Sequence, residues 1–413
     1  MTLRTMFTAV SGLRTEGEAI AVTGDNLANV STTGFKRQRS IFEDVLGRSA
    51  LGTGNPMAGA GVRNAAVRQE YSQGALLNTG IATDLALTGD GFFTVRGTVN
   101  GITGDFFSRA GQFTLDADGY LVDPGRMKVV GYLANPDGTF QASLSPLKVP
   151  TASISPNPTT QAQVTANLDA DSPIPTLPWD AQDPANTSNF STTMTVYDSL
   201  GQSHGLDVYF RRTAAGSWDY HALVDGAEVN PPAPGTNVEV GAGSLSFTTD
   251  GALDTFNQAP VITADFTGAT AGQTITLDLG TPISAGGTGY DGTTQFASPS
   301  NVSAQGQDGY ASGDLSGIAV EADGTVVGKY TNGSSLPVGR LAIAKFRANE
   351  ALARAGNNLW LDTNESGPPA MGVASSGGRG AVSSGALEGS NVDMAQEMVD
   401  LIRHQRAYGA NSK

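Results

Sequence analysis

Two apolar seams, one at each end of the chain, restrict what it can fold into more than any other feature. Leu3, Met6, Val10, Leu13, Gly17, Ile20, Gly24 and Leu27 recur at alternating spacings of 3 and 4, which draws a narrow stripe along one helix. Close to the other end, Met394, Met398, Leu401, Gln405 and Tyr408 follow the same rule, with a polar break at Gln405. At about 1.5 Å per residue each helix would run about 35 to 40 Å, so the seams are matched in length and each is the other's first candidate partner. Gly17 and Gly24 each cost roughly 1 kcal/mol of helix propensity and are tolerated where another helix approaches closely. A stripe this thin covers few large side chains and returns too little to offset the backbone entropy of ordering both helices. The pair is therefore expected to be marginal in a single chain and to be completed by packing among many copies.

Between the ends the composition changes the expected architecture. Gly 53 and Pro 20 in 413 residues exceed the usual combined share of roughly 12%, and charged residues are only 15%, which favours short strands and turns. The net charge of −15 and pI near 4.5 argue against a nucleic-acid partner or an anionic membrane surface. With no cysteine there is no disulfide, thiolate nucleophile or thiolate metal site. Polar residues at Thr2, Arg4, Thr5, Thr8 and Arg14 interrupt the start of the chain, so it lacks the apolar core of a cleavable signal, and no run reaches the length of a membrane span. The chain is expected to be cytoplasmic or exported by a route that reads no such signal.

The first seam should end near Asn29 and Val30, where Ser31-Thr32-Thr33 compete with helical hydrogen bonds and Gly34 can take a left-handed cap. Residues 31–75, with a basic patch at Lys36, Arg37 and Arg39 and a Gly-rich run from Leu51 to Gly61, read as an extended or hairpin connector, with 377–384 as its return linker. From Leu85 the pattern alternates as strands do. Ala117-Asp118-Gly119 is echoed by Ala322-Asp323-Gly324 in matched apolar alternation, which predicts two similar hairpins in one sheet domain. Residues 76–147 and 305–376 are then halves of one β domain, interrupted by 148–304. Prolines at 146, 150, 156 and 158 mark the entry to that interruption and Pro299 its exit, and the short alternating strands inside it suggest a sandwich or barrel. Ser390 to Asp393 supplies N-cap chemistry for the last helix, which stops at Lys413 without a breaker, so the seam is expected to continue in the natural protein.

Catalytic chemistry is sought without a positive result. His204, His221 and His404 show no metal-ligand spacing and read as ordinary surface or strand residues. Asp116-Ala117-Asp118-Gly119 begins like a calcium loop but lacks the later carboxylates. The Gly-rich runs carry no phosphate-loop Lys-Ser/Thr, and there is no Gly-x-Ser-x-Gly elbow. No catalytic residue, cofactor or metal is assigned.

The motifs, taken together, resemble one family. Asn26-Leu27-Ala28-Asn29 with Thr33-Gly34-Phe35-Lys36 resembles the N-terminal signature of the bacterial flagellar rod and hook axial proteins. Gly89-Asp-Gly-Phe-Phe93, Phe107-Ser-Arg109, Gly111-Gln-Phe113, Asp118-Gly-Tyr-Leu121, Gln307-Asp-Gly-Tyr310, Ala386 to Asp393, Glu397-Met-Val399 and Gln405-Arg-Ala-Tyr408 look like its other hallmarks. Val196-Tyr-Asp-Ser-Leu-Gly201 is similar to the outer domain of its hook-type members, and the length of the central interruption favours them over the shorter distal-rod type.

The resemblance implies an α+β multidomain chain. Residues 1–30 and 385–413 would form a coiled-coil pair lining the inner tube, with two mainly-β outer domains, the outermost inserted into the inner. It implies an extracellular polymer of like copies that bends while transmitting torque. Its partners would be rod and hook-filament junction proteins, a hook cap, and a type III export apparatus that removes no signal peptide. Asn26, Leu27, Asn29, Gly34 and Phe35 join the two seams as expected assembly residues. Arg403 and His404 stand where the family is usually apolar, which leaves open which face of that helix is covered. The competing readings are a distal-rod subunit and, from another class, a secreted β-rich adhesin or carbohydrate-binding module trimerised by its terminal helices.

Overall fold

In the computed structural model residues 3–45, 61–135 and 138–413 are described, with side chains from Met6 onward. The Gly-rich run up to Ala60 falls outside these residues. The chain divides into two compact units, one of Met1–Thr151, Leu315–Tyr330 and Ser335–Lys413, the other of Ala152–Asp314 and Thr331–Ser334.

The first unit begins with the helix Leu3–Ala28. The hydroxyl-rich run after it turns the chain, and Gly34 adopts a φ of 70°. Any side chain at Gly34 would also strike the backbone of Arg109 and Ala110, so glycine is required there twice over. An antiparallel hairpin follows, pairing Gln38–Asp44 with Val62–Gln69 and irregular at Ile41/Phe42.

The body of this unit is a sheet in which Phe92–Val99 lies between Ile102–Ser108 and Lys128–Ala134. The two Ala-Asp-Gly turns both belong to it. Thr114–Leu115 pairs with Leu121–Val122, and Leu315–Val320 with Thr325–Tyr330. In each turn the glycine holds a positive φ, 83° at Gly119 and 84° at Gly324. The carboxylates of Asp116 and Asp323 accept from backbone amides at Tyr120 (2.7 Å) and Thr325 (2.9 Å), the local hydrogen bonding that makes aspartate a turn residue. Leu85, Phe93, Phe106, Phe113, Val129 and Ile343 fill the core beneath.

Several boundaries differ from the sequence reading. Residues 377–384 are not a linker throughout, because Ala381–Ser384 pairs with Leu85–Thr88. Ala386–Glu388 pairs with Leu76–Asn78, so the last helix is not entered at 385. It runs Met394–Asn411, 18 residues against 26 in the first helix, so the two are not matched in length as expected; the Asp393 carboxylate caps it, accepting from the amides of Ala395 (2.8 Å) and Gln396 (3.2 Å).

The second unit is a β-sandwich. Phe190–Tyr197, Ser203–Ala214, Ser217–Asp225, Asn237–Phe247 and Leu253–Phe256 form one antiparallel meander. Val261–Ala264, Gln273–Asp278, Gln161–Asn167 and Asn301–Gln307 form the facing sheet, with a parallel pair in its middle. Alternate residues of both sheets, among them Val164, Ile275, Phe210, Trp218 and Tyr220, meet in one apolar core. Because Asn301–Gln307 pairs with Gln161–Asn167, this unit extends past residue 304. At its other end Leu147 and Val149 are held by Val129 and Gly119 of the first unit, so it begins later than residue 148.

Candidate functional site

The terminal helices lie antiparallel. Gly12 leaves room for the Asn411 amide, a Cβ at Gly17 would stand 3.8 Å from the Tyr408 ring, and His404 Nδ1 lies 2.6 Å from Glu16 Oε2. Asn26 Nδ2 donates to Glu397 Oε2 at 3.2 Å. On the first helix the covered stripe is Gly12, Thr15, Ala19, Thr23 and Asn26, small or polar residues that let the hairpin and the second helix come close. Ser11 accepts from the Val62 amide at 3.2 Å. On the second helix Glu397 and Asp400 are the buried residues.

The apolar seams are elsewhere. At 100° per residue the Met6 to Gly24 line lies roughly 140° round the helix from the covered stripe. Met6, Val10, Met394, Met398 and Tyr408 are exposed, and Leu13, Ile20, Leu27 and Leu401 only half-buried. Gln405 and Gly24 are exposed, and a Cβ at Gly24 would meet nothing. Leu3 opens the helix, and its side chain is outside the described residues. Of the expected contacts between seams the structure brings together Gly17 and Tyr408. Phe7, Val399 and Ile402, which the seam spacing omits, are also exposed apolar residues on these helices.

Beneath the helices sits a polar node built from residues far apart in sequence. Asn26 is buried, exchanging hydrogen bonds with the Gln38 backbone at 2.7 and 2.9 Å. Arg37 donates from Nε to Glu397 and, at 3.4 Å, to Glu70 and Asp400. Burial opposes the charge on Arg37, but the Glu397 hydrogen bond and the surrounding carboxylates outweigh it and hold the guanidinium above its ordinary range.

Glu388, fully buried, accepts from Lys36 Nζ (2.7 Å), the Gly74 amide (2.9 Å) and Arg109 Nη1 (3.3 Å). Burial pushes both Lys36 and Arg109 below their usual ranges, against the attraction of Glu388. Gly34 donates to the Glu388 carbonyl at 2.7 Å, and Phe35 is buried beside it under Arg354. Asn26, Gly34 and Phe35 are thus internal to the chain, whereas Asn29 is half-buried and donates to the Asp25 carbonyl at 2.8 Å.

The histidines are more engaged than their spacing suggests. His204 is buried between Glu228 (2.8 Å) and Asp198 (3.3 Å) and stacks on Phe266, while His221 stacks on Trp179. Among the described residues no group of three or more His, Cys, Asp or Glu is placed to hold a metal ion. No helix there is long and apolar enough to cross a membrane.

Comparison with known proteins covers most of the chain. Residues 6–36 match the family described as flagella basal body rod protein and 86–166 the flagellar hook protein FlgE/F/G D1 domain. Residues 167–310 match the flagellar basal body protein FlaE D2 domain and 383–413 the flagellar basal body rod FlgEFG protein C-terminal family. The chain is 34% identical over 411 residues to the flagellar hook protein FlgE of Salmonella typhimurium, spanning 98% of this chain and 95% of that one. It is 33% identical over 464 aligned residues to the flagellar hook protein FlgE of Treponema pallidum, spanning 100% and 96%. Among solved structures the flagellar hook protein FlgE2 of Helicobacter pylori shares the fold, with a TM-score of 0.52 at 17% identity, covering 74% of this chain and 98% of that one.

Proposed function

This chain belongs to the bacterial flagellar hook protein family and is a structural subunit of the hook, and from that premise we propose that its paired terminal helices line the inside of a tube made of like copies. The observation that carries this reading is the inversion on those helices. Their contacts within the chain are small and polar, and their apolar residues, Met6, Val10, Met394 and Met398, face outward. An apolar face of that extent on a single chain is a binding surface. Seams of this spacing suit coiled-coil packing between copies.

The node around Glu388 and Glu397 supplies stiffness where the helices enter the β body, which transmission of torque requires. The sandwich, with a core complete in one chain, forms the outermost domain, inserted into the inner β domain, and can shift against its neighbours as the tube bends. Asn26, Gly34 and Phe35 seat the helices, and the two seams with Leu27 and Asn29 meet neighbouring copies. On this reading the chain passes through a type III export apparatus without losing a signal peptide and polymerises under a cap. It joins rod proteins at one end of the tube and junction proteins at the other, and it performs no catalysis.

Electron microscopy of the polymer tests the reading. The unaltered chain forms tubes of constant diameter. Val10→Asp changes the unfolding free energy of the single chain by less than about 0.5 kcal/mol and stops tube formation. Normal tubes from Val10→Asp would refute the role given to the seam.

A further inference from the structure

The most exposed large apolar residues of the terminal helices cluster in two patches, with Met394 extending the second and Tyr408 standing between them along the axis. Met6, Phe7 and Val10 are each more than half exposed on one face near the start of the first helix. Met398, Val399 and Ile402, about half exposed or more, form the second patch on the last helix. The antiparallel pairing sets them at opposite ends. Glu397 meets Asn26 near the finish of the first helix, and Asn411 meets Gly12 near its start. Along the helix axis the patches are therefore separated by some fifteen residues of the first helix, about 22 Å.

We infer that the N-terminal patch of one copy docks on the C-terminal patch of the next copy, displaced by about 22 Å along the helix axis and running in the same direction. The inference rests on the hook reading above. Two N-terminal patches could meet only through a two-fold relation, which reverses one copy and closes a dimer. A tube that continues in one direction needs unlike surfaces in contact, and a shift without reversal brings these two together. Both patches contain methionine, Met6 and Met398. Its unbranched thioether repacks with little penalty, which suits a contact that changes slightly as a tube bends.

The absence of cysteine allows a clean test with the full chain. Chains carrying Phe7→Cys and chains carrying Ile402→Cys are mixed equally, polymerised and oxidised. The expected product is a disulfide-linked dimer holding one chain of each kind, and a chain carrying both substitutions gives a covalent ladder. Val10→Cys with Val399→Cys is a second pair, because disulfide geometry is narrow. If tubes form but both pairs give only like-with-like dimers or none, the inference is wrong and the hook reading stands. Cross-linking of Phe7→Cys to a Leu77→Cys chain instead, another exposed apolar site, overturns it too. If the unaltered chain forms no tube, both fall together.

Discussion

In the second unit Leu206, Phe210 and Trp218 turn inward and are wholly covered by their own chain, whereas on the terminal helices Met6, Val10 and Met398 turn outward. Both regions obey the same hydrophobic rule, and they differ in where the covering surface comes from. The sandwich gathers it from two sheets, so its alternation of two residues closes a core at once. The helix pair uses its covered side for Thr15, Ala19, Thr23 and Asn26, residues chosen for close approach and hydrogen bonding. A region can therefore be well formed in one chain and still be energetically unfinished.

Three measurements bear on that contrast. The largest effect is expected from Trp218→Ala. The indole is fully buried and its Nε1 has no partner, so packing alone is lost. The second unit should lose about 3 to 5 kcal/mol in urea unfolding, and tube formation at low temperature should persist. A loss below about 1 kcal/mol would mean that the sandwich core is not self-sufficient. Next comes Glu388→Ala, which strands the buried Lys36 and Arg109 without their carboxylate. Breaking such a pair costs about 3 to 5 kcal/mol, here offset by the outlet Arg109 keeps to the Gly89 carbonyl at 2.7 Å. Calorimetry should place this loss in the first unit's transition and leave the second unit's unchanged.

The smallest effect concerns acid. Burial raises the Asp308 carboxyl, but hydrogen bonds from Gln161 and from the amide and hydroxyl of Thr160 outweigh it and hold the group below its ordinary range. A depressed carboxylate contributes stability that is present above about pH 4 and lost as pH falls through its folded value. Asp308→Asn should flatten the fall in the second unit's melting temperature below that pH. An unchanged slope would show that other carboxylates govern it.

What the sequence revealed depended on how local the cause was. Both Ala-Asp-Gly turns were legible because Asp116 and Asp323 bond amides within four residues. The seam is legible as a pattern, but not which surface of its own chain the helix turns to its neighbour. Period alone marks an apolar face and does not say that Thr15 and Asn26 will take the neighbour first. Phe7, Val399 and Ile402 were missed because a strict 3-and-4 spacing narrows the face. Glu388 gave no sign of its importance, since its partners Lys36 and Arg109 lie 352 and 279 residues away. His204 looked ordinary for the same reason, its Glu228 and Phe266 arriving from other loops. Pro299 marks a turn and not the end of the sheet, whose strand Asn301–Gln307 carries the unit past residue 304.

The node at Glu388 also sets a schedule. A chain made from its N-terminus presents Lys36, Gly74 and Arg109 as donors long before their common acceptor exists, and Leu76–Asn78 and Leu85–Thr88 wait equally for strands from residues 381–388. Closing so long a loop costs little more than closing one half its length, so the separation weighs on timing more than on final stability. The first unit cannot close its last strand pairs or its buried node until residues 381–388 are available.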